Sequence, residues 1–81
     1  PSVDVAKIQV FPNPFTGNIN INSSSPMTEF TVYDIVGKLI VKKTVANTNR
    51  ESVDLEALNT GVYLLKVKTE NGTATHKIVR Q

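Results

Sequence analysis

The side chains that most often act in catalysis are few in this sequence and lie far apart. It holds one histidine, His76, and no cysteine, so thiolate chemistry is excluded and a catalytic base of the histidine type has a single candidate. No serine has the Gly-x-Ser-x-Gly spacing of a nucleophile elbow. The seven acidic residues follow neither calcium-loop nor zinc-site spacing. We therefore predict a protein that is not an enzyme and that uses no metal or cofactor.

The composition is consistent with a binding protein, but it disfavours nucleic acid and the membrane interior as partners. Nine Lys and Arg against seven Asp and Glu give a net charge of +2, too weak and too dispersed for a nucleic-acid surface. Aromatic residues make up only 6% of the 81 residues, which disfavours base stacking. No apolar run approaches the roughly 18 residues of a membrane span. We predict no nucleic acid as a partner and no membrane insertion.

The most informative stretch is the last one, Gly61 to Gln81. Two β-prone runs, Val62–Thr69 and Ala74–Arg80, flank Asn71-Gly72, the sequence pattern of a type I′ hairpin turn. Placing these two residues at the centre of the turn predicts a register. The predicted cross-strand pairs are Thr69–Ala74, Val67–His76, Leu65–Ile78 and Tyr63–Arg80 on one face, and Lys68–Thr75, Lys66–Lys77 and Leu64–Val79 on the other.

The two faces of this predicted hairpin differ in character. The first is mostly apolar and should face a core, whereas the second places Lys66 opposite Lys77, with Lys68 beside them. Like charges in cross-strand pairs are mildly destabilising. The face is either a solvated edge protected by lysine or a basic surface kept for a partner. On the second interpretation, Lys66, Lys68, Lys77 and the nearby Arg80 are the candidate recognition residues.

The rest of the chain predicts further short strands separated by turns. Its alternating or β-branched segments are Lys7–Phe11, Asn18–Asn22, Thr28–Ile35, Lys38–Val45 and Glu51–Leu55. With the terminal hairpin this gives about seven short strands, the pattern of an all-β antiparallel sandwich. No segment has the periodicity of a helix longer than about one turn.

Two connections carry specific turn chemistry. Proline has no N–H for a sheet and pushes the preceding residue into extended conformations, so Pro12-Asn13-Pro14 should form a rigid corner. Phe15 is predicted to anchor that corner onto the core. The second connection is the turn Asp34-Ile35-Val36-Gly37, in which the aspartate side chain should cap its own turn.

Four features then occur in a fixed order: Pro12-Asn13-Pro14-Phe15 after a strand, Asp34-Ile35-Val36-Gly37, Gly61-Val62-Tyr63, and Lys77 close to the end of the chain. Each is weak alone. The ordered set resembles the C-terminal sorting domain of proteins exported by the type IX secretion system of the Bacteroidetes. The resemblance extends from about Ile8 to Gln81.

This resemblance implies an Ig-like sandwich at the C-terminus of a larger cargo protein. Residues 1–6 would be a linker from the cargo, and residues 7–81 the sorting domain. The implied partners are the type IX translocon and a sortase-like peptidase at the outer membrane. The implied route is the periplasm in transit, then the cell surface or the medium. The family's motif positions fall here on Pro12, Asn13, Pro14, Asp34, Gly37, Gly61, Tyr63 and Lys77.

Two other functions fit the residues alone. An Ig-like accessory module that binds carbohydrate or a surface should expose an aromatic platform, for which Tyr33 is the only candidate. An inert spacer would need its terminal residues for stability but not for export. For the prolines, the glycines and Tyr63 a purely structural role is the main alternative to recognition. Lys77 is predicted to be exposed on a terminal strand, so among these positions the fold gives the least reason for one specific residue type there.

Overall fold

A computed structural model describes residues 7–81; the predicted linker, residues 1–6, lies outside them. The described chain is all-β. Its five antiparallel strands are β1 (Ile8–Phe11), β2 (Asn18–Asp34), β3 (Leu39–Asp54), β4 (Gly61–Thr69) and β5 (Gly72–Arg80). Within residues 7–81, no helix is long and apolar enough to cross a membrane. The prediction of an all-β fold is confirmed.

The strands form one sheet in the order β1-β2-β4-β5, with β3 also paired to β2. The first part of β2 lies between β1 and the end of β3, whereas its last part lies between the start of β3 and β4. The two halves of β2 therefore belong to two differently composed parts of one curled sheet. Their apolar faces enclose the core, as in a sandwich.

The prediction of seven short strands needs correction, because two pairs of them are continuous. Strand β2 runs through the predicted loop at Ser23–Pro26, and β3 runs through the predicted loop at 46–49. Both strands are irregular there: the β2–β3 register shifts between Asn22 and Met27, and Asn47 has a φ of 47°. Such irregularities bend a strand without ending it. The polar segments thus coincide with irregularities in the pairing, but the strands continue beyond them.

The core is built from the alternating positions of the strands. Ile19 and Ile21 of the alternating segment Asn18–Asn22 are buried, and so are Phe30 and Val32. Phe15 is fully buried although it lies between strands, so it does anchor the corner onto the core. The other buried apolar residues are Met27, Val53, Leu55, Tyr63, Leu65, Val67 and Ile78.

The register of the terminal hairpin differs from the prediction by two residues. Thr69 pairs with Gly72, Leu65 with His76 and Tyr63 with Ile78. Glu70 and Asn71 therefore form the turn, and the positive φ, 129°, belongs to Gly72 after it. The glycine therefore follows the turn, and the predicted two-residue Asn-Gly turn is not formed.

Side-chain hydrogen bonds account for this choice of turn. The Thr69 hydroxyl accepts a hydrogen bond from the Asn71 backbone N–H at 3.1 Å and donates one to the Gly72 carbonyl at 3.2 Å. The Asn71 side chain donates to the Ser25 hydroxyl at 2.7 Å. Because side chains alternate with a period of two, a two-residue shift leaves the same residues facing the core.

Candidate functional site

The predicted lysine face exists, but its pairing is different. Lys66 and Lys68 of β4 and Lys77 of β5 all lie on the exposed face of the hairpin. Lys77 is opposite Leu64, and Lys66 is opposite Thr75. The predicted Lys66–Lys77 pair is therefore wrong, and so is the inference that the face carries a pair of directly opposed like charges.

The lysines share this face with one aromatic and one acidic neighbour. The Lys66 Nζ lies 5.7 Å from the centre of the Tyr33 ring, within the range of a cation–π contact. Glu29 of β2 is paired with Lys68 across the β2–β4 ladder, and its carboxylate is 3.9 Å from the Lys42 Nζ. The groove among these residues has a volume of about 160 Å³, which is below the roughly 300 Å³ of ordinary small-molecule sites.

Arg80 does not belong to this face. It is opposite Gly61, in line with the inward-facing Tyr63 and Ile78, and is half-buried. Its guanidinium donates hydrogen bonds to the Glu56 carbonyl at 3.2 Å and to the Gln81 carbonyl at 2.6 Å. The alternation of side chains along β5 puts residues 77 and 80 on opposite sides, as the predicted register already did, so Arg80 does not add its charge to the lysine face.

The corner at Pro12–Phe15 is bound to the terminal strand. The Asn13 side chain donates to the Lys77 carbonyl at 3.0 Å and accepts from the Val79 N–H at 2.9 Å. Phe15 continues the pairing: its N–H donates to the Val79 carbonyl at 2.8 Å, and its carbonyl accepts from the Gln81 N–H at 2.9 Å. The corner therefore covers the last part of the outer edge of β5, from Lys77 onward.

The turn after β2 is held by Asp34. Its Oδ1 accepts hydrogen bonds from the Val36 N–H at 3.0 Å and the Lys38 N–H at 2.8 Å, and its carbonyl accepts from the Gly37 N–H at 3.0 Å. Gly37 has a φ of 90°, a backbone conformation that glycine adopts without strain. The predicted self-capping by Asp34 is confirmed, and it gives both motif residues of this turn a structural role.

Sequence reasoning missed what this turn displays. Ile35 and Val36 at its tip are 74% and 83% exposed, the largest values among the large apolar residues that the structure describes. Leu39 and Leu64 beside the turn are also exposed. The β-branched residues between Asp34 and Gly37 were a visible signal, since turns usually hold polar residues, glycine or proline.

Gly61 and Tyr63 mark the entry to β4. The Tyr63 hydroxyl donates a hydrogen bond to the Asn59 carbonyl at 2.7 Å, and its ring is part of the core. A tyrosine near the start of a strand, bonded to backbone a few residues upstream, is a feature of Ig-like sandwiches. Leu58, in the loop before it, packs against the core.

No constellation for catalysis appears in the described part of the chain. His76 is half-buried on the inner face, opposite Leu65 rather than beside Val67 as predicted. Among residues 7–81, no three His, Cys, Asp or Glu side chains are grouped so that they could hold a metal ion.

Comparisons with known proteins give this surface its context. Residues 9–81 match the family described as "Secretion system C-terminal sorting domain". The chain is also 35% identical over 74 residues to Beta-agarase D of Zobellia galactanivorans, an alignment that covers 90% of the chain and 15% of the agarase. The chain thus spans a small part of that relative's length. Order of motifs, fold and family match agree, and the chain belongs to the C-terminal sorting domains that mark cargo proteins for type IX secretion to the cell surface or the medium.

Proposed function

We propose that this domain acts without catalysis, as a folded signal whose exposed β4–β5 face is read by the type IX translocon at the outer membrane. The observation that carries the proposal is the position of Lys66, Lys68 and Lys77 on one exposed face. None of these three makes an ion pair with a described acidic side chain. Their charges are therefore available to steer encounter with an acidic partner surface and to add specificity.

Recognition by side chains fits this surface better than strand addition along the whole of β5. Residues 77–81 have their outward backbone groups bonded to Asn13 and Phe15. By alternation, Thr73 and Thr75 direct their backbone groups to the same outer side, where residues 7–81 supply no neighbouring strand. Only the first half of β5 thus offers an edge for β-augmentation.

The wider route is part of the same proposal. The cargo would reach the periplasm by the general export pathway, and the translocon would then carry it across the outer membrane. A sortase-like peptidase would remove residues 7–81 at the surface by cleaving in the linker, residues 1–6, or before it. Cleavage there would leave β1 and the corner intact.

The accessory-module alternative has less support from the structure. Phe15 and Phe30 are buried and Tyr63 is nearly so. Phe11 and Tyr33 are accessible, but Phe11 pairs with Asn20 near the start of β2 and Tyr33 lies near its end. The described aromatic residues therefore do not combine into one platform for stacking on a sugar.

The test is a fusion of residues 1–81 to the C-terminus of a reporter that carries a general export signal, in cells with a type IX system. The triple variant Lys66→Gln, Lys68→Gln, Lys77→Gln removes the charges of the face. Its matched control, Lys7→Gln, Lys43→Gln, Arg50→Gln, removes the same charge elsewhere. Circular dichroism and thermal melting of the free domain check the fold.

We expect the face variant to accumulate in the periplasm with an unchanged melting temperature, while the control is exported like the wild type. Normal export of both variants would contradict the role of the face. Failure of the wild-type fusion to leave the cell would contradict the proposed function itself. Deleting residues 77–81 is a poorer test, because it also removes the buried Ile78 and the partners of Asn13.

A further inference from the structure

The Asp34–Gly37 turn combines a rigid backbone with an apolar tip. Three hydrogen bonds to Asp34 fix the backbone between residues 34 and 38. The side chains of Ile35 and Val36 nevertheless point into solvent and contribute little to the core. Folding explains Asp34 and Gly37, but it gives no reason for two β-branched apolar residues at the tip.

The tip continues into an exposed row across the sheet. Leu39 of β3, Tyr33 of β2, Leu64 of β4 and Lys77 of β5 are successive cross-strand partners at the base of the turn. Leu39 and Leu64 are 48% and 36% exposed. The apolar tip and the lysine face are therefore neighbouring parts of one surface.

We infer that Ile35 and Val36 are the apolar anchor of the domain, inserted into a pocket of a protein partner that has an apolar floor and carboxylates at its rim. The inference rests on the proposed function, because the tip adjoins the face assigned to the translocon. The charges around the tip support this choice of partner. Lys38 is adjacent in sequence, Lys77 ends the row at its base, and the Asp34 carboxylate is already occupied by backbone N–H groups.

A preorganised anchor of this kind has a clear energetic advantage. Interfaces gain most of their affinity from a few apolar or aromatic side chains that become fully desolvated in a pocket. Ordering a loop on binding opposes association, and a turn that is fixed beforehand avoids that loss. The Asp34 hydrogen bonds thus serve both the fold and the presentation of Ile35 and Val36.

A lipid surface is the other occupant to be tested. Lipid-binding segments typically cluster about four to eight Lys or Arg residues. The turn has fewer basic neighbours: Lys38 follows it in sequence, Lys66 lines the same groove as Gly37, and Lys77 ends the row at its base. A protein pocket is therefore the better match.

The experiment uses the same reporter fusion with three variants. Ile35→Ser with Val36→Ser makes the tip polar, and Val36→Ser alone is the milder change. The matched control exchanges the two residues, Ile35→Val with Val36→Ile, so that composition and apolar character are kept. We expect export to fall about tenfold or more in the double serine variant, as for the loss of a central interface anchor. We expect near wild-type export for the exchanged pair and unchanged melting temperatures throughout.

Each other outcome has a distinct meaning. Normal export of both serine variants, with the wild type exported, overturns the inference and leaves the lysine face untouched. Equal loss in the serine variants and the exchanged pair assigns the effect to turn geometry and also overturns it. Sedimentation of the free domain with vesicles of phosphatidylethanolamine and phosphatidylglycerol, abolished by the serine changes, would replace the protein partner with a lipid surface. Loss of export by the wild-type fusion would refute the proposed function as well.

Discussion

The corner at Pro12–Phe15 and the turn at Asp34–Gly37 are held by the same kind of hydrogen bonding but present their apolar side chains in opposite directions. In each, one short polar side chain, Asn13 or Asp34, makes two hydrogen bonds to nearby or distant backbone. The apolar residues that follow differ: Phe15 is 0% exposed, whereas Val36 is 83% exposed. The polar residues of both motifs thus stabilise the fold. The apolar residues differ in role: the inward side chain anchors the corner to the core, and the outward one is the proposed anchor for a partner.

The largest effect on stability is expected at Phe15. Replacing it with alanine removes a fully buried ring from the core and should lower the free energy of unfolding by about 3–5 kcal/mol. Denaturant titration of the free domain measures this change. The half-exposed Phe11 is the control, and Phe11→Ala should have a clearly smaller effect. A loss below about 1 kcal/mol for Phe15→Ala would remove the distinction between the corner and the turn.

The next effect is expected at Asn13. Its replacement by alanine leaves the Lys77 carbonyl and the Val79 N–H without their partner, and should reduce stability by about 1–3 kcal/mol. Hydrogen exchange of the Val79 amide should accelerate more than exchange of amides in β2. Asn13→Asp keeps the acceptor for Val79 but loses the donor to Lys77, so its effect should be intermediate. Unchanged exchange at Val79 would show that the corner does not hold β5.

A smaller effect is expected at Asp34. Alanine removes the acceptor of the Val36 and Lys38 N–H groups at an exposed turn, and should reduce stability by about 1 kcal/mol. An asparagine side chain retains an acceptor oxygen, so Asp34→Asn should recover part of the loss. The measurement is the denaturation midpoint of the two variants. Equal midpoints for both variants and the wild type would show that the tip is not held rigidly.

The smallest effect on stability is expected at the tip itself. Ile35→Ser and Val36→Ser change side chains that are mostly in solvent, and each should alter the free energy of unfolding by less than about 0.5 kcal/mol. A larger destabilisation, seen in the same denaturant titration, would mean that these residues pack against the domain. They would then resemble Phe15 rather than contrast with it.

Much of the fold followed from local patterns in the sequence. Alternation predicted a strand at Asn18–Asn22, where Ile19 and Ile21 are buried, and turn chemistry identified the cap at Asp34. The continuity of β2 and β3 did not follow, because polar residues such as Ser23–Ser25 are typical of both loops and bent strands. Long-range hydrogen bonds decide between the two, and they are not visible in local sequence.

The candidate site was predicted less completely than the fold. The common face of Lys66, Lys68 and Lys77 followed from the two-residue alternation of side chains along a strand. A shift of the β4–β5 register by two residues leaves that face unchanged. The opposition of Lys66 and Lys77 did not, because Thr69 side-chain bonds moved the turn from Asn71-Gly72 to Glu70-Asn71. The two hydrogen bonds between the Asn13 side chain and β5 span 64 and 66 positions of the sequence. Only the folded chain reveals contacts of that range.

The most direct test of the distinction between corner and tip compares one variant of each in the reporter fusion. Asn13→Ala and Val36→Ser are expressed at a temperature at which circular dichroism shows both domains folded, and the fraction of reporter outside the cell is measured. We predict wild-type export for Asn13→Ala despite its lower melting temperature, and reduced export for Val36→Ser despite its unchanged one. Export that simply follows melting temperature, with Val36→Ser exported normally and Asn13→Ala retained, would contradict this prediction.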